Sequence, residues 1–105
     1  MSKFDPDRFE DKYVHYLPEL QRAYKRAFNR MNDEFDSTLV HAIDQQVLNE
    51  SEPFYEPDDH TFRIELPPDP YDRLNGVPVA EERFRGVLAE YIDTLIDALE
   101  AEFLA

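Results

Sequence analysis

Apolar residues recur at helical spacing through the first third of the chain. These positions, three or four residues apart with one adjacent pair, are Phe9, Tyr13, Tyr16, Leu17, Leu20, Tyr24, Phe28, Met31 and Phe35. Asp5 followed by Pro6 is typical of a helix start, because aspartate caps free amides and proline fits the first helical position. Pro18 interrupts the pattern, and a proline inside a helix costs about 3 kcal/mol. The pattern therefore favours two helical segments, the second with Pro18 as its first residue, over one helix kinked there.

A second capping signal, Asp36 followed by Ser37, introduces another helical stretch. Its apolar stripe consists of Leu39, Val40, Ile43, Val47 and Leu48. This spacing predicts a helix of about three turns, which the polar run 49–53 (NESEP) ends.

Residues 53–79 change character, since six of the eight prolines lie there. Residues 61–66 alternate, with apolar residues at the even positions and polar residues at the odd ones, as in a half-buried strand. Phe54 and Tyr55 form the candidate partner strand, and residues 57–59 (PDD) read as a turn. These features predict a β-hairpin. Residues 77–79 (VPV) are predicted to form an edge strand.

The last helix is predicted from Ala80 to about Phe103. Its apolar positions are Phe84, Val87, Leu88, Tyr91, Ile92, Leu95, Ile96, Leu99 and Phe103. The chain is thus expected to form one α+β domain, residues 1–105, that is predominantly helical. Three or four helices are expected, with one small β-hairpin before a long C-terminal helix.

The apolar stripe of this last helix is wider than a narrow two-helix seam, because adjacent positions are both large. Leu88, Ile92 and Ile96 are therefore candidates for an interface with a second copy or with a helix of another protein. The alternative is that the whole stripe packs within the chain.

The composition points to a reducing, aqueous environment. The chain has no cysteine, so it carries neither disulfides nor thiol chemistry. The N-terminal run MSKFD lacks an apolar stretch after its lysine, and no segment approaches the roughly eighteen apolar residues of a membrane span. We expect a cytoplasmic protein without a signal peptide or a membrane segment.

The chain carries a formal charge of −13, and all of this deficit lies in its second part. Residues 1–35 hold seven acids and seven bases, whereas residues 36–105 hold seventeen acids and four bases. An acidic surface can mimic nucleic acid or grip a basic partner, or it can be an adaptation to concentrated salt. We favour salt adaptation, because arginine outnumbers lysine eight to three and a Debye length of roughly 3 Å at 1 M salt screens carboxylate repulsion.

A basic ridge is predicted on the second helical segment. Arg22, Arg26 and Arg30 recur every four residues, and Lys25 lies beside them. Such a ridge near aromatic residues can bind RNA or phosphate. The alternative is that it faces the acidic last helix or forms ion pairs on its own surface.

The sequence carries little that points to catalysis. No nucleophile motif surrounds its few serines, and glycine is too sparse for a phosphate-binding loop. His41 and Asp44 share a helix face and are weak candidates for metal ligands, with Gln45 and His15 as further donors. The competing interpretation is a surface histidine bonded to Asp44. We expect no cofactor and no enzymatic activity.

Several stretches resemble an uncharacterised family of short haloarchaeal proteins. They are residues 12–16 (KYVHY) with 19–25 (ELQRAYK), residues 41–55 (HAIDQQVLNESEPFY) and residues 69–74 (DPYDRL). The resemblance implies a halophilic archaeal source, in agreement with the composition. It implies no activity, and therefore no catalytic or binding residue.

Three hypotheses follow from the sequence. The first is a protein-interaction or structural module, with a homodimer through the last helix as one form of it. The second is an RNA- or ribosome-associated factor that uses the basic ridge. The third is a metal-dependent enzyme built around His41 and Asp44.

Overall fold

Helices and one β-hairpin make up the chain over residues 4–104, which the computed structural model describes. In chain order the elements are α1 (Pro6–Phe9), α2 (Lys12–His15), α3 (Leu17–Glu34), α4 (Ser37–Gln46), β1 (Glu52–Glu56), β2 (Thr61–Glu65) and α5 (Glu81–Phe103), with short 3-10 turns at Leu48–Glu50 and Pro70–Arg73. This arrangement confirms the predicted α+β class and the long C-terminal helix. Residues 1–3, which entered the prediction that no signal peptide is present, lie outside the described residues.

Pro18 lies in the first turn of α3, one residue after Leu17. A proline is tolerated there because its missing N–H would have no partner within the helix. The prediction of separate segments around Pro18 is confirmed, although the new helix begins one residue earlier. The stretch before it is two single turns, because Asp11 has non-helical backbone angles (φ −108°, ψ 44°) between α1 and α2.

Both predicted aspartate caps are present. The Asp5 carboxylate accepts a hydrogen bond from the Asp7 amide at 3.0 Å, and the Asp36 carboxylate accepts one from the Thr38 amide at 3.0 Å. Each bond satisfies an amide that has no partner in the first turn of a helix.

The predicted hairpin is also present, as an antiparallel pair in which Pro53 faces Ile64 and Tyr55 faces Phe62. Phe62 is buried and Arg63 is exposed, as the alternation predicts. The predicted edge strand at residues 77–79 is wrong, because these described residues are not a strand and the sheet described has two strands. Pro78 has no amide to donate, and the Val79 carbonyl accepts a hydrogen bond from the Tyr71 hydroxyl at 2.6 Å instead.

Helices α3 and α5 pack antiparallel along their length, and they form the centre of the core. Buried small residues, Ala27 on α3 and Ala98 on α5, let the two backbones approach closely. Met31 and Thr94 touch further along the same seam, where the hydroxyl lies 3.7 Å from the sulfur. None of the helices within residues 4–104 has the combined length and apolar character that crossing a bilayer requires.

An aromatic cluster closes the end of the core near the chain terminus. Phe9, Tyr16, Phe62 and Phe103 approach one another with ring centroids 5.1–6.2 Å apart. The cluster joins α1, the start of α3, the hairpin and the end of α5. Because α2 lies between Phe9 and Tyr16 in the sequence, the cluster also fixes the position of α2.

Candidate functional site

A recess of about 500 Å³ lies between α2 with the start of α3 on one side and α4 with the segment after it on the other. We call it the α2–α4 groove. It is lined by Tyr13, Leu17, Leu20, Gln21, Tyr24, Asp44, Gln45, Leu48, Asn49, Ser51 and Pro53.

The mouth of the α2–α4 groove carries exposed apolar side chains. Tyr13 and Leu17, which line the groove, are 55% and 41% exposed, and Val14, the neighbour of Tyr13 in sequence, is 79% exposed. Leu104, at the end of α5, is the other large apolar residue that is exposed within the described part of the chain. Isolated exposed apolar residues are ordinary, but a contiguous group beside a recess is typical of a binding surface.

The inner wall of the groove is polar and already hydrogen-bonded. The Ser51 hydroxyl donates to the Leu48 carbonyl at 2.6 Å, so the Tyr24 hydroxyl, 3.4 Å away, is the donor to Ser51. Burial raises the pKa of Tyr24 to about 12. Tyr24 is thus a neutral hydroxyl at physiological pH, and its ring forms part of the groove wall.

Asp44 supplies the groove with its one carboxylate among the lining residues. One of its oxygens accepts a hydrogen bond from the Tyr91 hydroxyl at 3.5 Å. Burial raises the pKa of Asp44, while this hydrogen bond and the charge of His41 act in the opposite direction. The groove therefore presents a partly desolvated carboxylate.

A buried ion pair holds α2 against the hairpin and so positions the mouth of the groove. The Lys12 ammonium lies 2.7 Å from a Glu52 carboxylate oxygen, and the Lys12 side chain is only 4% exposed. The rings of Phe9, Tyr13 and Phe54 surround the ammonium with centroids 4.9–5.4 Å away. Tyr13 thus contacts the ion pair and lines the groove.

The two candidate metal ligands, His41 and Asp44, lie in different surroundings. Asp44 lines the groove, whereas the His41 ring is exposed and packs edge-on against Phe28, with centroids 4.8 Å apart. Across residues 4–104 there is no group of three His, Asp or Glu side chains placed to hold a metal ion. Gln45 lines the groove beside Asp44.

The basic ridge on α3 is exposed, and two of its four residues form ion pairs with acids of α3 and α5. Arg22 forms an ion pair with Glu102 at 2.8 Å, and Arg30 pairs with Glu34 at 3.5 Å. Arg26 and Arg30 line a small recess together with Asp97, and Lys25 is exposed. The pairs of Arg22 with α5 and of Arg30 within α3 are those of the alternative interpretation, whereas Lys25 and Arg26 take part in none of the ion pairs described.

The candidate interface residues of α5 are largely used within the chain. Leu88 is only 6% exposed, and Ile92 is half-buried and packs against the core. Both line a second recess of about 420 Å³ beside Leu66 and the 3-10 turn Pro70–Arg73. Ile96 is half-buried. The stripe is wide because β2 and the proline-rich segment cover its second edge.

The groove was missed in the sequence because its residues belong to a regular helical stripe. Tyr13, Tyr16 and Tyr24 share one apolar stripe in the sequence, yet Tyr16 is buried, Tyr24 is half-buried and Tyr13 is exposed. The signal that could have revealed the groove is the break at Pro18. A break in the helix changes the direction in which side chains point before and after it, so residues of one stripe can face different surroundings.

Comparison with known proteins agrees with an uncharacterised domain. No curated protein matches the chain significantly, and neither does any solved structure. The model of one family, described as a family of unknown function, matches residues 1–104. The chain therefore belongs to this family of unknown function, DUF5783.

Proposed function

We propose that the chain is a small, non-enzymatic protein-interaction module of the cytoplasm, which holds a segment of another protein in the α2–α4 groove. The observation that carries the proposal is the pair of exposed apolar side chains, Tyr13 and Leu17, that line this groove. Burying their exposed apolar surface stabilises a complex by about 25 cal/mol per Å² before the cost of ordering is counted.

The charge of the chain favours a different protein over a second copy as the occupant. Two copies would each bring a formal charge of −13 to the contact, and carboxylates that meet at a contact lie within the short range, roughly 3 Å at 1 M, over which salt does not screen their repulsion. A neutral or basic segment meets no such opposition.

The polar residues of the groove suit an extended or helical peptide. Gln21, Gln45 and Asn49 line it, and each carboxamide can both donate to and accept from a peptide backbone. Apolar anchors together with a few polar contacts are the usual means of peptide recognition.

An apolar contact also suits a concentrated-salt cytoplasm, which we propose as the working environment. Salt screens attraction between exposed charges over a Debye length of roughly 3 Å at 1 M, but it leaves apolar burial in place. A module that relied on exposed charge alone would lose its partner there.

Two matched variants test the proposal. Leu17→Glu places a charge at the groove mouth, and Leu104→Glu places the same charge on an exposed leucine at the end of α5. Affinity capture from cytoplasmic extract at native salt identifies proteins held by the wild type, and calorimetry with the purified partner then measures the dissociation constant.

We expect Leu17→Glu to weaken binding at least about tenfold, a loss of roughly 1.4 kcal/mol, while Leu104→Glu binds like the wild type. Equal binding by all three proteins would overturn the proposal. A mass of twice 12.5 kDa by light scattering, reduced to 12.5 kDa by Leu17→Glu, would also overturn it, because the occupant would then be a second copy.

A further inference from the structure

The carboxylate of Asp44 stands in the α2–α4 groove without a cation of its own. Eight ion pairs join acids and bases in residues 4–104, and Asp44 takes part in none of them. His41, three residues earlier on the same helix, acts on the Asp44 carboxylate electrostatically but forms none of these ion pairs with it. A partly desolvated carboxylate without an ion-pair partner favours a cationic ligand.

The hydrogen bonds at Asp44 leave room for such a ligand. The Tyr91 hydroxyl donates to Oδ1 at 3.5 Å, which is at the long end of the range for a hydrogen bond. A carboxylate has about four acceptor positions, so Oδ2 and part of Oδ1 remain open to a donor from outside.

The groove also offers aromatic surface beside the carboxylate. Tyr13 and Tyr24 both line it, one exposed at the mouth and the other half-buried inside. A guanidinium group is planar, stacks on aromatic faces and is more weakly hydrated than an ammonium, so it enters such a site at lower cost.

The chain already holds a cation between a carboxylate and aromatic rings at a neighbouring place, which shares Tyr13 with the groove. There the Lys12 ammonium is held by the Glu52 carboxylate and by the rings of Phe9, Tyr13 and Phe54. The ring of Tyr13 thus takes part in a filled cation site, and it also borders an open groove that has its own carboxylate. The same chemistry can act at both places.

We propose that the α2–α4 groove recognises an arginine side chain next to an apolar residue of the partner segment, with the Asp44 carboxylate as its charge partner and Leu17 as its apolar contact. This inference rests on the proposed function, because it names the chemistry of the segment that the groove holds.

Two blocked dipeptides test the inference directly. Acetyl-leucyl-arginine amide carries the guanidinium, and acetyl-leucyl-citrulline amide is its neutral isostere. Each is titrated into the full-length ¹⁵N-labelled protein, and the amide resonances of the groove residues are followed by NMR at low and at molar KCl. Asp44→Asn removes the charge at constant shape, and Asp93→Asn removes the same charge from an exposed position on α5 outside the groove.

We expect the arginine peptide to move groove resonances with an affinity about tenfold higher than that of the citrulline peptide. Asp44→Asn should remove this difference, and Asp93→Asn should keep it. Equal affinities for the two peptides, or an unchanged preference in Asp44→Asn, would overturn the inference but leave the proposed function standing. If neither peptide moves a groove resonance, the inference is also wrong, while the Leu17→Glu measurement still decides the proposed function separately.

Discussion

The Lys12 ammonium lies 2.7 Å from the Glu52 carboxylate, although forty positions separate the two residues along the chain. This ion pair joins α2 to the first strand of the hairpin. The lysine end is buried, and the glutamate side chain is 45% exposed, so water reaches only one partner. The pair holds one wall of the α2–α4 groove, because Tyr13 contacts the ammonium with its ring.

Removing the acid should therefore destabilise the fold more than removing both charges. Glu52→Gln leaves a buried ammonium without its counter-charge, and we expect the free energy of unfolding to fall by about 1–3 kcal/mol. Lys12→Met in the same protein should restore part of this loss, because an apolar side chain suits the ring-lined site. Denaturant unfolding at constant salt measures both effects. If Glu52→Gln is as stable as the wild type, the ion pair contributes nothing to the free energy of unfolding.

Dilution of salt should destabilise the protein. The seventeen acids after residue 35 repel one another, and the repulsion grows as the Debye length rises from roughly 3 Å at 1 M to about 10 Å at 0.1 M. We expect the melting temperature to be higher in about 2 M KCl than in dilute buffer. A non-ionic osmolyte at equal osmolality is the control, since it does not screen charge. The salt interpretation fails if the melting temperature is the same at both KCl concentrations.

Alkaline pH should also unfold the protein, and Tyr24 should account for part of this. Its pKa rises from 10.0 in an ordinary setting to about 12 in the fold, mainly because of burial. The folded chain thus keeps its proton where the unfolded chain loses it, so stability is complete below pH 10 and is lost as the pH rises toward 12. Burial raises the pKa of Tyr91 as well, which adds to the same trend.

The variant Tyr24→Phe checks this assignment, because it keeps the ring and removes the ionisable hydroxyl. We expect its free energy of unfolding to change less between pH 9 and pH 11 than that of the wild type, by roughly 1 kcal/mol. Tyr55→Phe is a control, since it removes a tyrosine hydroxyl in an exposed setting, 3.2 Å from His60 Nδ1. Identical pH profiles for Tyr24→Phe and the wild type would contradict the assignment.

Asp44 should lower stability at neutral pH. Burial raises its pKa in the fold, so the folded chain binds this proton more readily than the unfolded chain. Stability from this group is therefore gained as the pH falls through the raised pKa and is absent above it. We expect Asp44→Asn to melt above the wild type at pH 7, with Asp93→Asn as the control of equal charge, and a lower melting temperature in Asp44→Asn alone would refute this.

The basic ridge allows a separate test of the RNA hypothesis. Arg22 pairs with Glu102, but its side chain is 61% exposed, so we expect Arg22→Gln to lower the free energy of unfolding by less than about 1 kcal/mol. The double variant with Arg22 and Arg26 both changed to Glu tests nucleic-acid binding. If the double variant is retained on an RNA column as strongly as the wild type, this hypothesis is removed. If the folded double variant is no longer retained, the hypothesis is supported.

Apolar periodicity and capping residues were sufficient to predict several of the helices and the hairpin. The starts of α1 and α4, the hairpin and the extent of α5 follow from the caps at Asp5 and Asp36, from the alternation in residues 61–66 and from the apolar stripe after Ala80. These signals are local, since each depends on residues within one or two turns of one another. The edge strand predicted at residues 77–79 is absent because pairing needs a partner strand, which no local pattern can supply.

Burial and partnership were decided by the packing of distant segments. Tyr13 and Tyr16 belong to one stripe, yet Tyr13 opens onto the groove and Tyr16 joins the aromatic cluster. Lys12 is buried because β1 brings Glu52 and the ring of Phe54 to it, and the burial of Leu88 depends on distant segments, since the stripe of α5 left both an interface and packing within the chain open. Helical spacing specifies which residues share a face, but what covers that face depends on contacts between parts of the chain that lie far apart in sequence.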